Sequence, residues 1–313
     1  MSLQAPLFPI DQPVMPEDRQ IGRASLIGML SARIGDATHQ WLIGPRRIGK
    51  TSVAKAALAR LRTTGAVALD VDMSKLAITG EHELAGELAR QAQAAHAGVS
   101  SAGGRIKQFA GRHAADASLL GKAMSNLGYR DEGEALSAVS ALLAGADDGT
   151  PGLGAVLDAV ALHARATDTR SVVLVDEVQL LGGIDGCERE FARVARETDV
   201  PLVFVFAGSE ESAVRALRQP GRPLASIGAE MMLPDISSED WLLGLRQRFA
   251  EGNVKIGGKE LLAIIDAADS HPRRTMLICA RVQSSASAAP DREAISTLVE
   301  LAIRDARGDR SWT

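Results

Sequence analysis

The segment Gly44-Pro45-Arg46-Arg47-Ile48-Gly49-Lys50-Thr51 constrains this chain more than any other. It satisfies G-x-x-x-x-G-K-[ST] at every fixed position. A short apolar run, His39–Ile43, leads into it, and a helical pattern follows from Gly49 to about Arg62. A strand, a glycine-bearing loop and a helix in that order form an anion cradle. Gly44 and Gly49 let the backbone turn tightly, and successive N–H groups with the helix N-terminus face the anion. Pro45, Arg46, Arg47, Ile48 and Ser52 complete the predicted nucleotide-binding stretch. Lys50 is placed to reach the β- and γ-phosphates, and the Thr51 hydroxyl to ligate Mg²⁺.

The rest of the chain carries the pattern of a parallel α/β protein. Ala66–Asp72 alternates apolar and polar residues as a period-two strand does. Val172–Val175 and Leu202–Phe206 are continuous apolar runs, which suit strands buried on both faces. Met231–Leu233 is a further short strand. Helical periodicity lies between them, so crossover connections and a parallel sheet are expected. From Ser237 onward the pattern is wholly helical, with Trp241, Leu245 and Phe249 recurring every four residues. The expected organisation is an extended N-terminal arm over 1–20 laid on the surface, a P-loop core over 21–236 with the phosphate-loop strand central, and a helical lid over 237–313. A helical insertion is expected over about 81–166, with one helix near Leu136–Leu143 and a loose basic cluster at Arg105, Lys107, Arg112 and His113.

Composition narrows the function classes. Of 313 residues, 46% are hydrophobic and 3% aromatic, which favours helices and parallel strands over an aromatic-rich sandwich. The net charge of -4 and the lack of a polybasic run do not advertise nucleic acid or an anionic membrane. Cys187 and Cys279 are far apart and offer neither a metal spacing nor a disulfide framework. With no leader-like N-terminus and no long apolar run, a cytoplasmic setting is expected.

Three further elements carry chemistry. Asp176 and Glu177 follow the VVLV run. An acid at the carboxyl end of a buried strand next to the phosphate-loop strand can hold Mg²⁺, and that role falls to Asp176. Glu177 is placed to polarise an attacking water. Ser209 ends the LVFVF run, where a hydroxyl can touch the γ-phosphate or that water. His271-Pro272-Arg273-Arg274 opens a late helix, from which Arg273 can sense the phosphates. The expected activity is therefore hydrolysis of MgATP. No guanine-reading N-K-x-D pattern appears, so ATP is preferred to GTP.

These elements, in this order, resemble the AAA+/STAND group of P-loop ATPases, and within it the prokaryotic ATPases related to origin-recognition proteins. Ile21-Gly22-Arg23 resembles the family's short motif ahead of the first strand, which implies that these residues border the adenine. GPRRIGKTS and Asp176-Glu177-Val178-Gln179 are similar to its phosphate loop and its D-E-aromatic-Q pattern, with Val178 in place of the aromatic. Ala207-Gly208-Ser209, Pro223-Leu224, Leu233-Pro234 and HPRR follow its later landmarks. The resemblance implies an ATP-driven switch acting on a partner protein, with homo-oligomerisation as a further expectation. The alternative is a DNA-linked ATPase, such as a loader or a transposition or replication regulator. After Pro223-Leu224 the family's arginine-bearing pair is replaced by Ala225-Ser226-Ile227-Gly228, so a finger arginine stays unassigned among Arg215, Arg218 and Arg222. Slow turnover without a partner follows. An output domain is expected on another polypeptide.

Overall fold

The computed structural model describes residues 6–10, 13–14, 20–75, 80–96, 152–166, 169–197, 201–286, 292–309 and 312. The expected helix near Leu136–Leu143 and the basic cluster at 105–113 lie outside the described residues. Two compact units are formed. One comprises Met1–Gly28, Pro45–Ala56 and Leu233–Thr313, and the other Met29–Gly44 and Ala57–Met232.

The second of these units holds a sheet of β1 (Gln40–Ile43), β2 (Val67–Asp72), β3 (Ser171–Asp176), β4 (Leu202–Gly208) and β5 (Ala229–Met232). All pairings are parallel, in the order β2-β3-β4-β1-β5. Every residue of β3 and β4 is buried, which explains their unbroken apolar sequences. β1 is paired on both sides, with Ile43 opposite Gly208 of β4 and Met232 of β5. One expectation needs correcting. β3 is not next to the phosphate-loop strand, because β4 lies between them. Pairing order depends on long-range packing, and local periodicity does not encode it.

Helices α3 (Glu81–His96), α4 (Leu153–Ala166), α5 (Cys187–Ala195) and α6 (Glu211–Leu217) belong to the same unit. α3 packs on β2, and α4 packs on α3 and α5. Trp41, Phe191, Phe204 and Phe206 form the aromatic centre of the core, with Trp41 and Phe206 ring centroids 4.6 Å apart. The Trp41 Nε1–H donates to the Ile227 carbonyl at 2.6 Å, so the buried indole is satisfied. Both cysteines are buried, and burial pushes the Cys187 thiol up to about 12, so it stays a thiol.

His39 stitches this unit together. Its Nδ1 accepts from the Phe204 N–H at 3.0 Å and its Nε2 lies 3.0 Å from the Ala195 carbonyl. That pair of partners requires the neutral ring with the proton on Nε2. Burial lowers the His39 pKa below its ordinary value of 6.5, a drop only partly offset by the Ala195 carbonyl. The unfolded chain therefore binds the proton better, and the stabilisation is present above pH 6.5 and lost as pH falls below it. Thermal melts from pH 7.5 to about 5.5 should show a Tm falling by about 2–4 °C for each kcal/mol lost. The slope should shrink in His39→Gln, and an unchanged slope would contradict this assignment.

The first-named unit is helical. It contains the start of α1 (Ala24–Gly35), the first turns of α2 (Lys50–Thr63), and α7 (Ser238–Glu251), α8 (Gly258–Ala267), α9 (Pro272–Ala286) and α10 (Arg292–Arg307). Ser237 caps α7 by accepting from the Asp240 N–H at 3.1 Å. Trp241, Leu245 and Phe249 are fully buried on one face of that helix. The arm is not merely laid on the surface. Phe8 is 5% exposed, its ring centroid 4.7 Å from that of Phe249, and the buried Arg248 donates to the Leu7 carbonyl at 2.7 Å. Proline-rich sequence discouraged helix here, but it did not prevent an apolar anchor. Among the described residues no helix is long and apolar enough to cross a membrane.

Candidate functional site

The phosphate loop follows Gly44, the first residue beyond β1, and α2 begins at Lys50. Gly49 has φ +101°, a conformation glycine takes without strain, and a Cβ there would meet nothing within 4 Å. Arg47 also sits at positive φ, 63°, where a side-chain-bearing residue is disfavoured. Lys50 is 5% exposed, and its Nζ donates to the Pro45 carbonyl at 2.7 Å. The ammonium thus spans the loop from within. Together, a turn with open space at Gly49, an inward lysine and a helix N-terminus fit a polyphosphate.

Several neighbours brace this loop. Gln20 donates to the Ser52 carbonyl at 2.6 Å, and the Val14 N–H to the Ser52 hydroxyl at 3.1 Å. His271 places its Nε2 3.3 Å from the Arg46 carbonyl. Burial, then the charges of Arg274 and Arg47, lower the His271 pKa against the raising effect of that carbonyl. Arg23, 4% exposed, donates to the Pro234 carbonyl at 2.6 Å and to the Ile48 carbonyl at 3.2 Å. Gly22 has φ +64°, and a Cβ there would stand 2.8 Å from Ile236 Cγ2. Ile21 and Gly22 line a cleft of about 220 Å³ with Gln20, Asp240, Leu243 and Gly244. Arg23→Ala should therefore cost about 2–3 kcal/mol, because two carbonyls lose a charged donor. Nucleotide affinity should fall with it, as the Ile48 turn loosens. Arg23→Lys should not restore either, since an ammonium lacks the fork that spans two acceptors. Melts and nucleotide titrations of the two variants check this.

Of the HPRR arginines, Arg273 donates to the Ile10 carbonyl at 3.3 Å. Arg274 donates to the Trp312 carbonyl at 3.0 Å and to Asp269 at 3.1 Å, with its guanidinium over the Trp312 ring. The contacts with Ile10 and Trp312 were not legible, since those residues are remote in sequence.

A second group lies at the carboxyl edge of the sheet. Asp176 ends β3 and is 4% exposed, and its Oδ1 accepts the Glu177 N–H at 3.0 Å. Glu177 is in the left-handed conformation, φ 53° and ψ 44°, which costs about 1–2 kcal/mol for a residue with a Cβ. A 3-10 turn, Val178–Gly183, begins immediately after it. The kink brings the Glu177 carboxylate onto Ser209, whose hydroxyl donates to Oε2 at 2.6 Å. Gln179 Nε2 donates to the same oxygen. Backbone strain that ends in a hydrogen-bonded carboxylate is a mark of functional sites. Sequence reasoning placed Glu177 and Ser209 separately and missed their contact.

The finger candidates are each engaged within their own unit. Arg215 pairs with Glu211 at 2.5 Å, Arg218 with Glu230 while lying over the Trp41 ring, and Arg222 with Glu188. Asp72 turns back to cap Ser74 and pairs with Lys75 at 2.9 Å. Among the described residues no cluster of three or more His, Cys, Asp or Glu is set to hold a metal. Mg²⁺ needs no such cage, because it is commonly held by one or two protein oxygens together with substrate phosphates. The Thr51 hydroxyl and the Asp176 carboxylate are hard oxygen donors of the right kind.

No family model matches this sequence, and no curated protein matches it. Solved structures do. A Walker-type ATPase of Pyrococcus abyssi is 17% identical, with a TM-score of 0.64, over 96% of this chain and 76% of that one. The Aeropyrum pernix ORC2 protein, in ADPNP–ADP complexes, is 16% identical, with a TM-score of 0.62 over 96% and 71%. The Aeropyrum pernix ORC1 protein in complex with DNA is 15% identical, with a TM-score of 0.56 over 96% and 69%. At these identities the likeness is one of fold. The shared fold is a P-loop NTPase fold, a central parallel sheet flanked by helices with helical C-terminal elements.

Proposed function

We propose that this chain is an ATP-driven molecular switch that binds MgATP, hydrolyses it and acts on a partner protein. The observation that carries the reading is a complete phosphate-loop motif that follows a buried parallel strand and opens a helix. The backbone of Gly44–Ser52 would cradle the phosphates, and Lys50 would neutralise charge on the β- and γ-groups. Ile21, Gly22 and the cleft they line would take the base. Arg23 would act from behind, by holding the turn at Ile48. Thr51 and Asp176 would hold Mg²⁺, which when bound offsets the negative charge that develops on the phosphates. Glu177 would accept a proton from the attacking water. Ser209, by donating to Glu177, would orient that carboxylate. Arg273 is the proposed sensor of the γ-phosphate and would exchange the Ile10 carbonyl for it.

Titration with MgATP and with its slowly hydrolysed thio-analogue should show one site per chain. Absence of saturable binding would sink the reading. Turnover is proposed to be slow, because each finger candidate is held in an internal ion pair and the acceleration that a finger supplies would come from a partner or a second copy. The DNA complex of one fold neighbour keeps a DNA-linked ATPase as the second reading. The net charge of -4 favours the protein partner. DNA affinity that falls steeply with salt would reverse that preference.

A further inference from the structure

Gln179 stands beside the proposed general base and has an unexplained half. Its Nε2 donates to Glu177 Oε2, and lies 3.3 Å from Ser209 Oγ. A carboxylate only accepts, so the amide nitrogen must face it. The amide oxygen is thereby turned away from Glu177. There it is buried and has no hydrogen-bond partner. Buried acceptors are nearly always satisfied, so this oxygen requires an explanation. Gly208 packs closely against it: a Cβ there would stand 3.1 Å from Oε1, 3.2 Å from Val178 Cγ1 and closer still to Val214 Cγ2, so only glycine fits beside the amide.

Geometry and chemistry identify the missing donor. Hydrolysis requires a water that gives one proton to Glu177 and keeps a lone pair aimed at phosphorus. Its second O–H needs an acceptor, or the water is free to rotate. Ser209 Oγ already donates to Glu177 at 2.6 Å and accepts from Gln179 Nε2 at 3.3 Å, so one of its two lone pairs is engaged, whereas the acceptor capacity of Gln179 Oε1 is wholly unused. Gln179 Oε1 is an acceptor, buried, and rigidly tied to the base through its own amide nitrogen.

We infer that Gln179 orients the attacking water, its Oε1 accepting the O–H that is not transferred while its Nε2 fixes the Glu177 carboxylate. The water oxygen bonds to the γ-phosphorus and its other proton passes to Glu177. The bond from that phosphorus to the bridging oxygen breaks, and its electron pair leaves on ADP. This inference rests on Glu177 being the general base. It explains why a 3-10 turn, begun by a left-handed residue, follows β3: it returns the residue two places on from Glu177 to Glu177's own carboxylate.

The test compares Gln179→Leu, which keeps the approximate volume, with Gln179→Asn, which keeps the amide on a shorter stem. Three quantities are measured for each: kcat and KM for MgATP, affinity for fluorescent ADP, and affinity for the same ADP with aluminium fluoride, a mimic of the attacked phosphoryl group. Gln179→Leu should lower kcat by about 10- to 100-fold, within the range for positioned polar groups in proton transfer. KM and ADP affinity should stay within about threefold, since neither depends on an interaction made only in the transition state. Affinity for ADP with aluminium fluoride should fall by a factor similar to that in kcat. Gln179→Asn should fold and lose less. A Gln179→Leu enzyme with wild-type kcat and wild-type aluminium fluoride affinity, beside an inactive Glu177→Gln, overturns the inference alone. So does an equal loss of affinity for ADP with and without aluminium fluoride, which marks a structural role. If Glu177→Gln itself turns over at the wild-type rate, the general-base reading fails and takes this inference with it.

Discussion

Lys50→Ala is expected to lower MgATP affinity by on the order of 100-fold, equivalent to about 2.7 kcal/mol. Two losses combine. The ammonium would otherwise make charge-assisted contacts with phosphate, which are roughly twice as strong as neutral ones. It also ties the loop, through the 2.7 Å bond from Nζ to the Pro45 carbonyl, while only 5% exposed. Alanine removes the phosphate contact and unties the loop, so the cradle must be ordered at the expense of binding. Lys50→Arg keeps the charge but not the point geometry, and should recover only part of the affinity. Fluorescent-nucleotide titration checks this, with thermal melts to show that the variants fold. Wild-type affinity in Lys50→Ala would place the nucleotide elsewhere.

Glu177→Gln is expected to lower turnover by about 10²- to 10⁴-fold, the range for loss of a general base. ATP should still bind within about threefold of wild type. Glutamine has nearly the same shape and the same left-handed penalty, so the backbone at φ 53° gains nothing and loses nothing. The amide can still accept from Ser209 Oγ through its own oxygen, which keeps the local hydrogen bonds. The variant therefore isolates proton acceptance from folding. Glu177→Gly adds a second arm. Glycine relieves the left-handed strain, so that variant should melt no lower than wild type by more than the lost Ser209 and Gln179 contacts, and should be equally inactive. A Glu177→Gln protein that hydrolyses ATP as wild type does would remove Glu177 from the chemistry.

Much of the fold was legible because it is written locally. The runs at Val172–Val175 and Leu202–Phe206 are apolar on both faces, and only a strand covered on both sides needs that. The spacing of Trp241, Leu245 and Phe249 reads directly as helix. What was not legible depends on distant partners. The insertion of β4 between β1 and β3 is a matter of pairing order. α5 was not singled out because it is only nine residues long and Gly182, Gly183 and Gly186 punctuate its approach, although Cys187, Phe191, Ala192 and Val194 fall on one buried helical face.

The candidate site divides in the same way. Gly44–Thr51 was legible as a motif because backbone geometry demands particular residues there. The strain at Glu177 was not, because left-handed glutamate leaves no mark in composition. The use of Arg23 as a brace for Ile48 was also hidden. A resemblance to an adenine-bordering motif suggested contact with ligand, while the guanidinium is spent on two carbonyls.

The most direct measurement is single-turnover hydrolysis, with protein in excess over γ-labelled MgATP, for wild type beside Glu177→Gln. The account predicts that wild type releases labelled phosphate while Glu177→Gln holds the label as bound ATP. Phosphate released at one rate by both proteins, or no retention of ATP by either, would contradict it.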